Sequence, residues 1–147
     1  MTSTMVMTYA DHARLREAFD RMTPEDRRHF ELLRQKLEDA RRVDPSRVAA
    51  NVVTMGSTVH FRELDTGDRW TFTLSYPPEA NIDEDRISIL SPIGTAMIGC
   101  RVGDVVDWPV PSGIIRIRIE KILYQPEAAG VLGEPSATWG QAAKVAV

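Results

Sequence analysis

Residues 8 to 42 read with a helical period. His12, Leu15, Phe19 and Met22 recur at steps of three and four, and so do Phe30, Leu33, Leu37 and Ala40. The spacing predicts two helices with matched apolar stripes. Between them, Thr23-Pro24-Glu25-Asp26 stops and restarts the pattern. Thr23 suits an N-cap, Pro24 a first helical position, and the two acids the positive end of the helix dipole. Asp44-Pro45 is expected to end the second helix. The simplest assembly is an antiparallel helical hairpin with Thr23 to Asp26 at its tip. Its apolar seam is expected to be its own, separate from the core of the remaining chain.

From Val52 onward the period changes to alternation. In "STVHFREL", Val59 and Phe61 share one face and His60 and Arg62 the other. In "RWTFTLSY", Trp70, Phe72, Leu74 and Tyr76 point inward while Arg69, Thr71, Thr73 and Ser75 point outward. Asp65-Thr66-Gly67-Asp68 makes the hairpin turn between these strands. "RISIL", "VVDWPV" and "IIRIRIEKILY" supply further strands, the last alternating Ile115, Ile117 and Ile119 with Arg116, Arg118 and Glu120. One-sided alternation predicts an antiparallel sheet with one wet face. The fold class is therefore α+β: a short N-terminal helical hairpin (1–45), then a sheet domain (46–130). The tail, 131–147, is Ala/Gly-rich without a period and is expected to be flexible, with Trp139 its one candidate for docking.

The block "SPIGTAMIGCRVGD" tests for a nucleotide loop. A phosphate-cradling loop needs Lys and then Ser or Thr after its second glycine. Here Gly99 is followed by Cys100 and Arg101, which supply neither the ammonium nor the metal-ligating hydroxyl. The plainer reading is a short helix from Pro92 to Ile98, ended by Gly99, with Ile93, Ala96 and Met97 packed on the sheet.

Composition narrows the classes. The 147 residues suffice for one modest core, and 18 Lys plus Arg against 21 Asp plus Glu argue against a protein held on nucleic acid by counterion release. A single cysteine cannot staple the chain, and "MTSTMVMTYA" lacks the features of a secretory signal, so a cytoplasmic protein is expected. His12, His29 and His60 have no ligand-like spacing to one another or to Cys100, so neither a metal nor a cofactor is expected. No nucleophile stands in a catalytic context, so no catalytic residue is assigned. Arg116 and Arg118 face one way with Arg69 as a candidate neighbour, and a solvated sheet face accounts for them. Trp70, Phe72, Trp108 and Tyr124 are candidates to line a pocket, but core packing is the commoner use of inward aromatics. At the hairpin tip, Asp20, Glu25 and Asp26 gather as a magnesium-holding group would, and helix-end electrostatics explains Glu25 and Asp26 equally well.

The combination of a helical hairpin with "VVTMGSTVHFRELDTGDRWTFTL", "SPIGTAMIGCRVGDVVDW" and "YQPEAAG" resembles the Gre family of bacterial transcription factors, most of all its Rnk-like branch, the regulators of nucleoside diphosphate kinase. The likeness covers roughly residues 8 to 130. It implies an FKBP-like C-terminal domain that docks on RNA polymerase beside the secondary channel, with the hairpin pointing inward. By the same resemblance, Ser91, Pro92 and Ile93 belong to the docking surface, and Leu90 stands where some relatives carry an acid. Cleavage-stimulating relatives use a much longer hairpin whose tip acids hold a magnesium ion in the polymerase. A first helix of about 15 residues spans only about 22 Å. The resemblance therefore implies a non-enzymatic regulator that binds RNA polymerase and competes with longer Gre-type factors, without sequence-specific contact to nucleic acid. The alternatives are an FKBP-like peptidyl-prolyl isomerase and a transcript-cleavage-stimulating factor.

Overall fold

A computed structural model describes residues 5–130; the 131–147 segment with Trp139 lies outside the described residues. The chain starts with a short strand, β1 (Val6–Thr8), which runs into helix α1 (Tyr9–Asp20). Thr8 Oγ1 accepts the Asp11 amide at 3.1 Å and caps α1, as Thr23 Oγ1 accepts the Asp26 amide at 3.1 Å and caps α2 (Pro24–His29). These side chains satisfy amides that have no partner within the helix.

The second helical stretch is shorter than its sequence predicts, and broken. It divides at Phe30 (φ −105°, ψ 36°) into α2 and α3 (Glu31–Asp39), although the Phe30 amide still bonds Asp26 and Arg34 still bonds the Phe30 carbonyl. The break is thus a kink. It lets α3 turn Leu33 and Leu37 into the core, whereas α2 buries none of its residues. The helix stops at Asp39 rather than Asp44, because Ala40 is extended and Arg41–Val43 forms β2, which pairs in parallel with β1. Strands at both ends of the helical segment therefore tie its base.

The rest of the chain builds one five-stranded sheet in the order β5-β4-β3-β7-β6, from β3 (Thr58–Glu63), β4 (Arg69–Ser75), β5 (Arg86–Ser88), β6 (Val105–Val110) and β7 (Gly113–Tyr124). Three of its ladders are antiparallel, but β5 lies parallel to β4. The wholly antiparallel sheet predicted from alternation is thus corrected to a mixed one. Residues 76–85, with two short 3₁₀ turns, carry the chain back to the level of Thr73 in β4, and such a return is what parallel pairing requires. Helix α4 (Pro92–Met97) packs on the sheet face lined by Val59, Phe61, Ile117 and Ile119.

The two apolar stripes meet as their spacing predicts. Leu15, Phe19, Leu33 and Leu37 are buried, and His12 Nε2 lies 2.9 Å from the Leu37 carbonyl across the two helices. Their cluster does not stop there. It continues through Met7, Val53 and Met55 to Phe61, Leu74, Met97 and Ile119, so the helices share the core of the sheet rather than owning a separate one.

Polar contacts reinforce this joint. Tyr76, at the end of β4, donates its hydroxyl to Asp11 of α1 at 2.8 Å, and the Arg14 guanidinium lies over the Tyr76 ring at 4.9 Å. Burial pushes the Asp11 carboxyl from its ordinary 3.8 up to about 6; the Tyr76 hydrogen bond opposes the rise and Glu127 adds to it. A carboxyl with a raised folded-state pKa binds more protons folded than unfolded. Its contribution is greatest below about pH 4 and falls as pH rises to about 6, by about 3 kcal/mol at most. Asp11→Asn keeps an acceptor for Tyr76. It is expected to be more stable than the wild type at neutral pH by about 1–3 kcal/mol and to flatten the slope between about pH 4 and 6. Denaturant titrations across that window check this; a wild-type stability that rises there would show that the carboxyl is folded in its charged form.

Candidate functional site

Helix α4 is held at every point where a short helix would otherwise fray. Ser91 Oγ accepts the Gly94 amide at 3.1 Å and donates to the Ser88 carbonyl at 2.7 Å, so it caps α4 and ties it to the end of β5. Pro92 follows at the first helical position and is exposed. Thr95 Oγ1 donates to the Ile89 carbonyl at 2.8 Å from the buried side. Gly94 sits so close to β5 that an added Cβ would lie 2.2 Å from the Ser88 carbonyl oxygen.

The C-terminal end of α4 is capped from a distance. Lys36, on α3, donates from Nζ to the carbonyls of Thr95 (2.8 Å), Ala96 (3.2 Å) and Ile98 (3.2 Å). A cation at the negative end of a helix, bonded to its last carbonyls, is a favourable arrangement. Burial lowers the pKa of Lys36 and raises that of the nearby Cys100 thiol, whose Sγ contacts the Ala96 carbonyl at 3.1 Å. Chain reversal after α4 falls at Gly99 (φ 81°), where a Cβ would collide with the Met5 side chain at 2.1 Å.

Of the three residues named for docking, the structure presents two. Pro92 is exposed and Ser91 half-buried, whereas Ile93 is 4% exposed and packs into the core cluster. Ile93 therefore anchors α4, as its apolar stripe with Ala96 and Met97 predicts: its position one residue inside the helix turns its side chain to the sheet. Leu90 also packs against the core from the side.

At the other end of the molecule, Asp20, Glu25 and Asp26 are exposed. Asp20 lies 3.9 Å from Arg16, and the Asp26 amide is taken up in the Thr23 cap. Arg27 reaches back to the Phe19 carbonyl at 3.2 Å and so closes the turn between α1 and α2. Among the described residues, no group of three or more His, Cys, Asp or Glu side chains comes together as a metal site.

Two contacts were hidden from the sequence. Lys36 stands between Leu33 and Leu37 on a helix whose other basic residue, Arg34, pairs with acids one turn away on either side, Glu31 and Glu38. Its place beside the buried stripe was the available signal, but its acceptors lie about 60 residues on. The "YQPEAAG" run proved to be a clasp. Gln125 Nε2 donates to the carbonyls of Ala49 (2.8 Å) and Val52 (2.7 Å), and Glu127 accepts the Thr54 hydroxyl at 2.7 Å.

Residues 48–124 match the family described as "Transcription elongation factor, GreA/GreB, C-term". The chain is 37% identical over 99 residues to the "Regulator of nucleoside diphosphate kinase" of Escherichia coli strain K12, a match covering 67% of this chain and 73% of that protein. It is 42% identical over 83 residues to the transcription elongation factor GreA of Nautilia profundicola, covering 56% of this chain and 51% of that one, so it spans about half the length of this GreA relative. Among solved structures, a "Prokaryotic transcription elongation factor GreA/GreB from Nitrosomonas europaea" superposes with a TM-score of 0.73 at 33% identity, covering 84% of this chain and 100% of that one. With its family match reaching from the loop before β3 to the last residue of β7, the chain belongs to the GreA/GreB family of transcription elongation factors.

Proposed function

We propose that the protein is a non-enzymatic regulator that binds RNA polymerase beside its secondary channel through the α4 surface and competes there with longer Gre-type factors. The observation that carries this reading is the brevity of the helical part attached to a Gre-type sheet domain. Helix α1 has 12 residues, about 18 Å at 1.5 Å per residue. Magnesium requires carboxylate ligands at about 2.0–2.1 Å, so a tip that stops well short of the catalytic centre contributes nothing to hydrolysis. In this reading the sheet with α4 on one face is FKBP-like in plan, and the work is done in the cytoplasm with the polymerase.

The rigid fastening of α4 supports Pro92 as the contact to test. Ser91 is unsuitable, because its loss removes a cap worth about 1 kcal/mol and confounds binding with folding. Pro92→Glu places an acid in the first turn, where the helix dipole tolerates it. It is expected to leave the fold intact by circular dichroism and to weaken polymerase binding about tenfold, as loss of a central contact does. The wild-type protein is expected to inhibit transcript cleavage stimulated by an added Gre factor and to stimulate none itself, with Asp26→Asn behaving like the wild type. Robust cleavage by the wild type, abolished in Asp26→Asn, would make the tip a metal site and end this reading.

A further inference from the structure

The sheet face opposite α4 carries a charge pattern that costs the fold stability. Across β4, β3 and β7, Arg69 stands directly opposite Arg62, and Arg62 directly opposite Arg118. One step along, Arg116 shares this face, and Lys121 stands opposite His60. Like charges in directly opposed strand positions repel across about 5 Å, and such pairs are destabilising. A solvated face has no need of three arginines in one row.

The carboxylates on this face do not neutralise it. Glu120 occupies an irregularity in the β3–β7 register and pairs with Arg62 Nε at 3.2 Å. Asp107 stands opposite Arg116. Arg69, Arg116, Arg118 and Lys121 are exposed, and none of their four side chains has a hydrogen-bond or ion-pair partner among the described residues. Five cations thus face two acids in a chain whose net charge is −3, so the remainder of the molecule is more acidic than the whole. Charge is segregated onto one face.

Apolar side chains flank the row. Val105, opposite Arg118 on the edge strand β6, is 39% exposed, and Ile114, at the start of β7, is 65% exposed; Leu123 (54%) and Tyr124 (43%) lie at the far end of β7. Phosphates have no use for exposed Val, Ile and Leu, and a single-stranded nucleic acid is held by aromatic platforms, of which Tyr124 is the one here. Apolar neighbours around a row of arginines suit a protein surface instead, since arginine and aromatic residues are favoured there. An overall negative chain also repels a long polyanion while admitting a local acidic patch.

We propose that the outer face of the sheet, centred on Arg69, Arg62 and Arg118, is a second docking surface, which takes an acidic protein segment whose carboxylates are interspersed with apolar residues. It lies on the opposite side of the sheet from α4 and stands whether or not α4 binds polymerase. The exposed guanidinium groups of Arg69 and Arg118, on either side of the Arg62–Glu120 pair, offer bidentate bonds to carboxylates of the segment, and the partner's charge relieves the repulsion that the free protein carries.

The test uses the full chain and a short fluorescein-labelled Glu-rich peptide carrying two leucines, with a single-stranded oligonucleotide of equal charge as the second probe. Wild-type protein is expected to bind the peptide in a salt-sensitive manner and to prefer it to the oligonucleotide. In the double variant Arg69→Thr/Arg118→Thr, peptide affinity is expected to drop about tenfold or more, since each charge-assisted contact contributes on that scale. The same variant is expected to melt no lower than the wild type. Absence of peptide binding, preference for the oligonucleotide, or a lowered melting temperature in the variant would each overturn the proposal. Concentration-dependent dimerisation abolished by the variant would also overturn it, in favour of a second copy of the chain as occupant.

Discussion

Gly94→Ala is expected to be among the most damaging single-atom additions to this fold. The site is not one that needs glycine for its backbone angles; it lies within α4 with no positive φ. What it lacks is space. An added Cβ would lie 2.2 Å from the Ser88 carbonyl oxygen, 3.0 Å from the Ser88 carbonyl carbon and 3.1 Å from Ile89 Cα. All three are main-chain atoms and cannot swing aside as the end of a side chain does. Overpacking a core commonly costs about 1–3 kcal/mol, and an obstruction made of backbone belongs at or above the upper end. A cost of about 3 kcal/mol or more is therefore expected in denaturant unfolding. The Ser91 cap would be strained at the same time, because α4 has to lift from β5. A loss below about 1 kcal/mol would mean that α4 slides freely on the sheet, and the rigid presentation of Pro92 would go with it.

Leu33→Ala is expected to cost about 2–5 kcal/mol, the range for deleting a fully buried leucine side chain. Leu33 is 0% exposed and belongs to the same cluster as Phe61 and Ile119. The size of the loss matters less than its reach. A hairpin with its own seam would loosen alone and leave the sheet folded. With one continuous cluster, the helical signal and the near-ultraviolet signal of the sheet tryptophans should be lost in a single transition at a lower denaturant concentration. Two separated transitions would refute the shared core.

The parts of this fold that could be read beforehand are those where a local pattern decides the outcome. Leu15, Phe19, Leu33 and Leu37 lie where helical spacing puts them, and the caps at Thr23 and Ser91 use the chemistry that Thr-Pro and Ser-Pro announce. The alternation in "RWTFTLSY" sets the faces of β4 as far as Leu74, but Ser75, read as outward, is only 5% exposed. What escaped were choices between distant elements. The direction of β5 depends on how residues 76–85 return, and no periodicity encodes that. Helix α3 ends early because Arg41–Val43 finds a strand partner in Val6–Thr8, at the far end of the helical segment. At the candidate site, the inward turn of Ile93 follows from its apolar stripe with Met97, whereas the Lys36 cap joins groups that are remote in sequence. The arginine row is of the same kind. Each residue was visible as outward, but only strand register sets Arg69, Arg62 and Arg118 side by side.

The joint between helices and sheet is made wholly near the base of the helical segment. Asp11 bonds Tyr76, Lys36 bonds the end of α4, and β1 pairs with β2, while α2 buries nothing. Reach and anchorage are therefore separate properties of this architecture. Adding matched whole turns to the two arms beyond Phe19 and before Leu33 would lengthen the lever by about 5.4 Å per turn and leave every fastening untouched. A short arm and a long one can thus be carried on an unchanged mount, so that divergence in how far such proteins extend need not disturb where they sit.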